Sequence, residues 1–450
     1  MEFQEISPKI SEMGNNMQDF FEEERIKEIS SSSGFIKREN KLTAPAFLQM
    51  CIEAPINKGH GHSLTELCTH LVGLGVVMCN QSLNEQFKKE SVDFVQRIFE
   101  QLLLYHLLES AKQSDIFNDF SGIYLEDSTS FLLPTHLRDE FKGPGGTASD
   151  AMIKLNLLLD VKGHDSQITL SDGTRNDKTF LSDDIKENAL YLRDLGYHKL
   201  EYFERIDQAN AFYVSRLKSC VYLYWNKDKK EQPIDLQSLI DGLEENQYLD
   251  IEVYAGQKQR TKTRLVIQKV PEEVAAKKRE KMKKDKRGND RNVSQHRLDF
   301  CSCNAFITNL DGEQWQAHMI AAIYKIRWQI EIIFKVWKSI FKLGNVHKMK
   351  VERFLCLLYG HLIWILLNTK VFTIFKSEIW NTIREEISEL KGFKILSIIN
   401  DSLKMALRVN KTELYEEFLV NAYIALVKLG KKQYRKGRDN PLFHIGKFVT

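Results

Sequence analysis

The chain reads as an α/β protein with helical segments flanking a strand-rich middle, and three observations predict it. Up to about Lys112, apolar residues recur three and four apart, as in Phe94–Leu108 (FVQRIFEQLLLYHLL), with no alternating run of β-branched residues. From Gly122 the texture changes to short apolar or alternating runs parted by turn residues. After a last short strand, Phe306-Ile307-Thr308, helical periodicity returns.

Taken in order, Ile123–Leu133 (IYLEDSTSFLL), Ile153–Val161 (IKLNLLLDV) and Gln167–Leu170 read as a β-meander. Its turns are GPGG (Gly143–Gly146), Lys162-Gly163 and Ser171-Asp172-Gly173. Ala189–Arg193 (ALYLR) is a further strand, Lys199–Ala209 a helix, and Phe212–Leu217 (FYVSRL) a strand again. Val221 to Lys269 alternates once more, in Ile251–Tyr254 and Arg264–Lys269, and forms a second strand group. It runs into Lys277–Arg287 (KKREKMKKDKR), a basic stretch without apolar periodicity. The best-defined helix is Gln314–Phe341. Phe354–Leu367 is the longest apolar run; it falls short of the ~20 residues of a membrane span and reads as a buried core helix.

Composition narrows the class. The 450 residues set a prior of about three domains, long enough to bury a sizeable core. With 28% charged and 43% hydrophobic residues, the chain is globular and not disordered; 23 Gly and 8 Pro exclude collagen-like repeats. Seven scattered cysteines argue for reduced thiols in the cytoplasm, and MEFQEISPKI lacks the basic-then-apolar pattern of a signal peptide. Net charge is only +3, so an anionic partner must be sought in local clusters such as Lys277–Arg287 and Lys431, Lys432, Arg435, Lys436 and Arg438.

Projected at 100° per residue from Tyr324, Arg327, Glu331 and Lys338 fall at about 300°, 340° and 320°, a polar stripe beside the apolar face of Ile326, Ile330, Ile333, Phe334, Trp337 and Phe341. Periodicity alone favours a solvated face with an Arg327–Glu331 ion pair. Two acids raise the functional reading. Asp127 sits inside an apolar strand, and Asp194 closes the run ALYLR. Carboxylates at strand ends facing a cleft are hard oxygen ligands suited to Mg²⁺ beside a substrate phosphate. Other candidates are weaker: Cys301-x-Cys303 lacks a second ligand pair, His60-Gly-His62 reads as a loop, GPGG as a hairpin turn, and His198 as a capping or surface residue.

Tyr324, Arg327, Glu331 and Lys338 stand as Y-x2-R-x3-E-x6-K within YKIRWQIEIIFKVWK. This pattern resembles the signature of the DDE transposases of the insertion-sequence-four family, in the subgroup carried by Bacillus-type insertion sequences. The resemblance extends through DSTSFLLP at Asp127, NDKTF at Asn176–Phe180, LRDLGY at Asp194, YVSRLK at Tyr213–Lys218 and FITN at Phe306–Asn309, and more loosely to FIKREN near Phe35. It implies an RNase H-like catalytic core in which Asp127, Asp194 and Glu331 bind two Mg²⁺ ions (Mn²⁺ as a substitute), while Tyr324, Arg327 and Lys338 hold the DNA end. It further implies a DNA-end-binding helical domain over 1–115, core over 116–220 and 301–370, a β-strand insertion over 221–300, and a C-terminal helical segment over 371–450 that pairs protomers. The expected function is cut-and-paste DNA transposition in the bacterial cytoplasm, on the nucleoid: a homodimer binds terminal inverted repeats in double-stranded DNA, cleaves there and joins the 3′-hydroxyls to target DNA. Some relatives pass through a hairpin using an aromatic residue of the insertion; Trp225 and Trp315 stand nearby, and neither matches that position. Two other classes remain open, a non-catalytic transposase-derived repressor and a plain metal-dependent nuclease.

Overall fold

The computed structural model describes residues 2–36, 41–105, 107, 119–145, 150–160, 167–181, 183–228, 230–285, 297–298 and 300–433. Its N-terminal part is helical: α1 (Glu2–Phe20), α2 (Glu23–Ser32), α3 (Ala44–Glu53), α4 (Pro55–Lys58), α5 (Leu64–Val72), α6 (Asn80–Gln86) and α7 (Lys89–Leu104). A capping box opens α5, with Ser63 and Glu66 satisfying each other's backbone N–H groups. Then come β1 (Ile123–Leu132), β2 (Met152–Asp160), β3 (Gln167–Asp172), β4 (Leu190–Arg193), α8 (Leu200–Gln208), β5 (Phe212–Arg216), β6 (Leu223–Tyr224), α9 (Leu236–Asp241), β7 (Tyr248–Ala255), β8 (Thr261–Lys269), α10 (Glu272–Asp285) and β9 (Cys303–Thr308). The chain closes with α11 (Ala317–Lys325), α12 (Trp328–Ser339), α13 (Val351–Ile383), α14 (Glu389–Ile398), α15 (Asn400–Val409) and α16 (Thr412–Leu429).

Among the described residues the strands form one nine-stranded sheet in the order β3-β2-β1-β4-β5-β9-β8-β7-β6. β1, β2 and β3 pair antiparallel, while β1–β4 and β4–β5 are parallel and joined by crossovers; Gly146 of GPGG and the expected turn Lys162-Gly163 lie outside the described residues. The strands between 221 and 270 do not stand apart: β8 pairs antiparallel with β9, and β9 with β5, so β6–β8 extend the same sheet.

The sheet separates two cores. One face, with Ile123, Leu125, Leu190, Leu192 and Val214, packs against helices of both chain ends. The other, with Tyr124, Tyr191, Tyr213 and Ile307, is covered by Phe203 and Ile206 of α8. The run Phe354–Leu367 is a buried core helix as expected, inside α13; this 33-residue helix is long and apolar enough to cross a bilayer, yet 72% of its apolar window is buried in protein. α3 and α7 pack along it, and α1 packs on α16. Contact with α3 is so close that a Cβ on Gly360 would lie 2.2 Å from the Cys51 carbonyl oxygen, so only glycine fits.

Two elements differ from the sequence expectation. Helix Gln314–Phe341 begins at Ala317 and is broken at Ile326-Arg327, where amides bond three residues back (Ile326 N to Ile323 O, 3.0 Å; Arg327 N to Tyr324 O, 3.1 Å) and tighten one turn. The basic stretch is not structureless: up to Asp285 it belongs to α10, anchored by Ala275 in the core, and the remainder lies outside the described residues. Of the C-terminal basic group, Lys431 and Lys432 pair with Glu385 and Glu386, and Arg435, Lys436 and Arg438 lie outside the described residues.

Candidate active site

Side chains alternate between the two faces of a strand. In β1, Ile123 and Leu125 face the helical core, so Asp127 does as well; Glu126 faces the other way. In β4, Leu190 and Leu192 face the helical core, so Asp194, which closes the strand, follows them, and Arg193 faces away. Parallel register sets Glu126 opposite Arg193, which brings the next residues, Asp127 and Asp194, side by side on one face. Asp194 begins a short 3₁₀ turn (Leu195–Tyr197) without its side chain capping it, and the carboxylate is partly exposed.

α11 and α12 lie over that face and supply the third carboxylate. Glu331, in the first turn of α12, accepts a hydrogen bond from Arg327, four residues back. The same guanidinium lies 3.8 Å from Asp127 Oδ2 and 3.9 Å from Asp194 Oδ1. Thus one arginine, 5% exposed, stands between carboxylates of three elements. The Arg327–Glu331 pair of a solvated helix face is present, but the face is not solvated. Among the described residues, Nε and one terminal nitrogen of Arg327 find no hydrogen-bond partner, because the two aspartates are just too far. Tyr324 hydroxyl donates to Asp194 Oδ1 at 3.2 Å, and its ring lies 5.5 Å from the Arg327 guanidinium carbon. Lys338 is exposed, seven residues and about 10 Å along α12 from Glu331.

Three negative charges against one positive leave the site short of cation. Burial raises the Asp127 carboxyl to about 6, and Asp194 and Glu331 push it the same way against the Ser128 N–H and Arg327. Burial works against the Arg327 charge, but Tyr324, Asp194 and Glu331 outweigh it and hold the guanidinium protonated. Tyr324 is raised by burial. The donors are all hard oxygens, the chemistry of Mg²⁺ or Mn²⁺ ligation, and the orphaned guanidinium nitrogens sit where positive charge is wanted. Among the described residues no three acidic, His or Cys side chains are drawn close enough to cage an ion, and Arg327 lies between these carboxylates.

The remaining motifs divide. Asp177 of NDKTF accepts from Ser128 Oγ at 2.7 Å and pairs with Lys154 Nζ at 2.6 Å, docking that loop beside Asp127. FITN and YVSRLK are structural: Thr308 Oγ1 donates to Tyr213 O, and Asn309 Oδ1 accepts from Tyr213 N, tying β9 to β5. Trp315 is core, stacked on Phe120 at 5.2 Å, whereas Trp225 is half exposed. His198 is not a surface residue; it is 4% exposed and packs on Phe203. His60 is likewise buried, its ring 5.2 Å from that of His361. Cys301 and Cys303 are buried, and Cys301 Sγ donates to Arg297 O at 3.4 Å.

Sequence reasoning passed over Glu126 and Arg193, which form an ion pair beneath the aspartates. Their signal was present: a charged residue immediately before each acid, inside otherwise apolar strands.

A family model described as "Transposase DDE domain" matches residues 119–367, a span containing both aspartates, Glu331 and the Tyr-Arg-Glu-Lys set. The chain belongs to the DDE transposase family. The transposase for insertion sequence element IS1151 of Clostridium perfringens is 31% identical over 97% of both chains. The transposase for insertion sequence element IS231C of Bacillus thuringiensis subsp. berliner is 31% identical over 91% of this chain and 90% of its own. This DDE transposase is therefore an enzyme of DNA transposition, and enzymes with its domain work with divalent metal ions.

Proposed function

We propose that this transposase excises and reinserts its insertion sequence with Asp127, Asp194 and Glu331 as the catalytic carboxylates of an RNase H-like core. The observation that carries this reading is the convergence of three carboxylates, from β1, β4 and α12, on the single buried Arg327. The order β3-β2-β1-β4-β5, antiparallel in its first three strands and parallel in its last, supports the RNase H-like assignment. The chain then divides into a DNA-end-binding helical part (1–115), core (116–220 and 301–370), β-strand insertion (221–300) and C-terminal helical segment (371–450). Exposed Leu390, Ile398, Met405 and Val409 on α14 and α15 support pairing of two protomers through that last segment.

Asp127, Asp194 and Glu331 would hold two Mg²⁺ ions, or Mn²⁺ in their place, which would supply Lewis-acid stabilisation to the attacking and leaving oxygens of an in-line phosphoryl transfer. Arg327, released from the carboxylates it now spans, presents a planar fork to a DNA phosphate, and Lys338 adds a point charge. Tyr324 orients Asp194 through its hydroxyl. Exposed Lys277, Lys281 and Lys283 on α10 give the DNA backbone further positive charge. The substrates are double-stranded DNA, the terminal inverted repeats and a target, and the enzyme acts in the cytoplasm on the nucleoid.

The test is a supercoiled plasmid carrying the gene with its native flanks, incubated with Mg²⁺ and wild-type or Asp127→Asn protein, with breaks mapped to the nucleotide. Breaks at repeat boundaries from the wild type alone are expected, with a rate loss of about 10³-fold in the variant. Cutting by the variant at the wild-type rate overturns the assignment.

A further inference from the structure

We infer that Glu126, Arg193, Asn156 and Tyr197 form a buried network on the rear face of the sheet that positions Asp127 and Asp194 for catalysis; this rests on the active-site reading above. Three of the four lie within three residues of one of the aspartates, and Asn156 stands opposite Ser128 on β1. Glu126 precedes Asp127, Arg193 precedes Asp194, and Tyr197 ends the 3₁₀ turn that Asp194 begins. Arg193 is fully buried, and its guanidinium reaches Glu126 Oε2 at 2.9 Å. Its carbon lies 5.1 Å from the centre of the Tyr191 ring and 5.8 Å from that of Tyr202. Glu126 Oε1 accepts from Asn156 Nδ2 at 3.0 Å, and Asn156 Oδ1 accepts from the Tyr197 hydroxyl at 2.6 Å. The path thus leaves β4 at Arg193, crosses β1 and reaches β2, then returns through Tyr197 to the turn after Asp194.

Why such a network occurs there follows from its cost. A buried ion pair contributes little net stability, since desolvation cancels most of the attraction; apolar residues of similar size serve a core as well. What apolar residues do not supply is direction. A one-residue slip of β4 along β1 would turn Asp194 to the wrong face and leave Asp127 without its partner. That slip would also bury two unpaired charges and strand an amide and a phenol, so the network makes it prohibitive. The loop after Asp194 is fixed by the same bonds, and with it the direction of that carboxylate. These four side chains are therefore positioning residues, acting through the two aspartates.

The experiment uses the full chain in four forms: wild type, the double variant Glu126→Leu/Arg193→Met, Tyr197→Phe, and Asp127→Asn as control. Measured are the urea midpoint, end-DNA affinity, Mn²⁺ affinity by electron paramagnetic resonance, and single-turnover cleavage against Mg²⁺ concentration. The double variant is expected to keep its urea midpoint and DNA affinity, to bind Mn²⁺ about 10–100-fold more weakly, and to cut about 10–100-fold more slowly. Wild-type Mn²⁺ affinity and cutting rate in the folded double variant would overturn the inference. Should that variant not fold, Tyr197→Phe decides, since it deletes one hydroxyl and keeps the ring: a several-fold loss in both readouts supports the network, and none overturns it. Asp127→Asn that keeps both cutting and Mn²⁺ affinity would instead sink the active-site reading itself.

Discussion

Two arginine–carboxylate clusters in this protein use the same residue types to opposite ends. At the junction of α3 with α15, Arg408 clasps Glu53 in a fork, Nε donating to Oε1 at 2.8 Å and the second nitrogen to Oε2. Gln49 and His70 complete the shell. Burial alone would raise the Glu53 carboxyl, but the bonds from Arg408, His70 and Gln49 hold it down at about 2. At the candidate active site one arginine faces three carboxylates, only Glu331 within hydrogen-bond reach, and Asp127 is pushed up to about 6. Charge ratio and distance separate the two. A one-to-one fork closes on itself and stabilises a junction; a one-to-three cluster with its two aspartates at 3.8 and 3.9 Å keeps a deficit of positive charge for something else to fill.

The largest effect expected from breaking this contrast is at Glu53. Arg408→Met leaves a buried carboxylate without its strongest partner and should cost about 2–4 kcal/mol, read as a lower urea midpoint. Cleavage per folded molecule should be unchanged. The pH dependence follows from the lowered pKa: the Glu53 contribution is fully present above its ordinary value near 4.5 and is lost as pH falls toward 2. Arg408→Met should therefore be less acid-sensitive than the wild type over that window. A wild-type midpoint in the variant would show that the fork is not a structural clasp.

Asp127 should respond with the opposite sign. Its folded pKa is raised, so the native state binds that proton more tightly than the unfolded chain. Ionising it then removes stability as pH climbs from about 4 to 6. Without metal at pH 7, Asp127→Asn should stabilise the protein by about 1–2 kcal/mol, discounted from the full shift because the carboxylate is 22% exposed. Adding Mn²⁺ at about 100 times its Kd should raise the wild type by about 2.7 kcal/mol and the variant by much less. Thermal or urea unfolding with and without Mn²⁺ checks both arms. Destabilisation of the metal-free protein by Asp127→Asn would mean that Arg327 already satisfies the three carboxylates.

How far these clusters were legible in the sequence depends on what each requires. Alternation placed β1, β2, β4 and β8 within a few residues, and an acid inside or closing an apolar run marked Asp127 and Asp194. Glu331 and Arg327 were legible as a helical stripe, yet periodicity could not distinguish a solvated ion pair from a buried one. That distinction depends on which face of the sheet receives the helix. Glu126 and Arg193 each stood out as a charge inside an apolar strand, but pairing them needs the register of two parallel strands, which no local pattern encodes. Glu53 with Arg408 stayed hidden for the same reason at longer range, between α3 and α15. The break at Ile326-Arg327 left no trace in YKIRWQI, which holds neither Gly nor Pro. It arises where α11 and α12 must both pack on the sheet while Arg327 turns inward.

Lys338 gives the smallest effect and the finest test of the comparison. It shares the helix of Glu331 but is exposed and about 10 Å further along, so it belongs to neither arginine cluster. If its role is one phosphate contact, Lys338→Ala should weaken end-DNA binding several-fold, equally for specific and unrelated sequences. It should also reduce the slope of log affinity against log salt by about one. Mn²⁺ affinity in the absence of DNA should not move, because the ammonium does not touch the carboxylates. A variant that loses metal affinity while keeping its salt slope would place Lys338 in the carboxylate cluster, and the line drawn between gripping DNA and holding metal would have to pass elsewhere on α12.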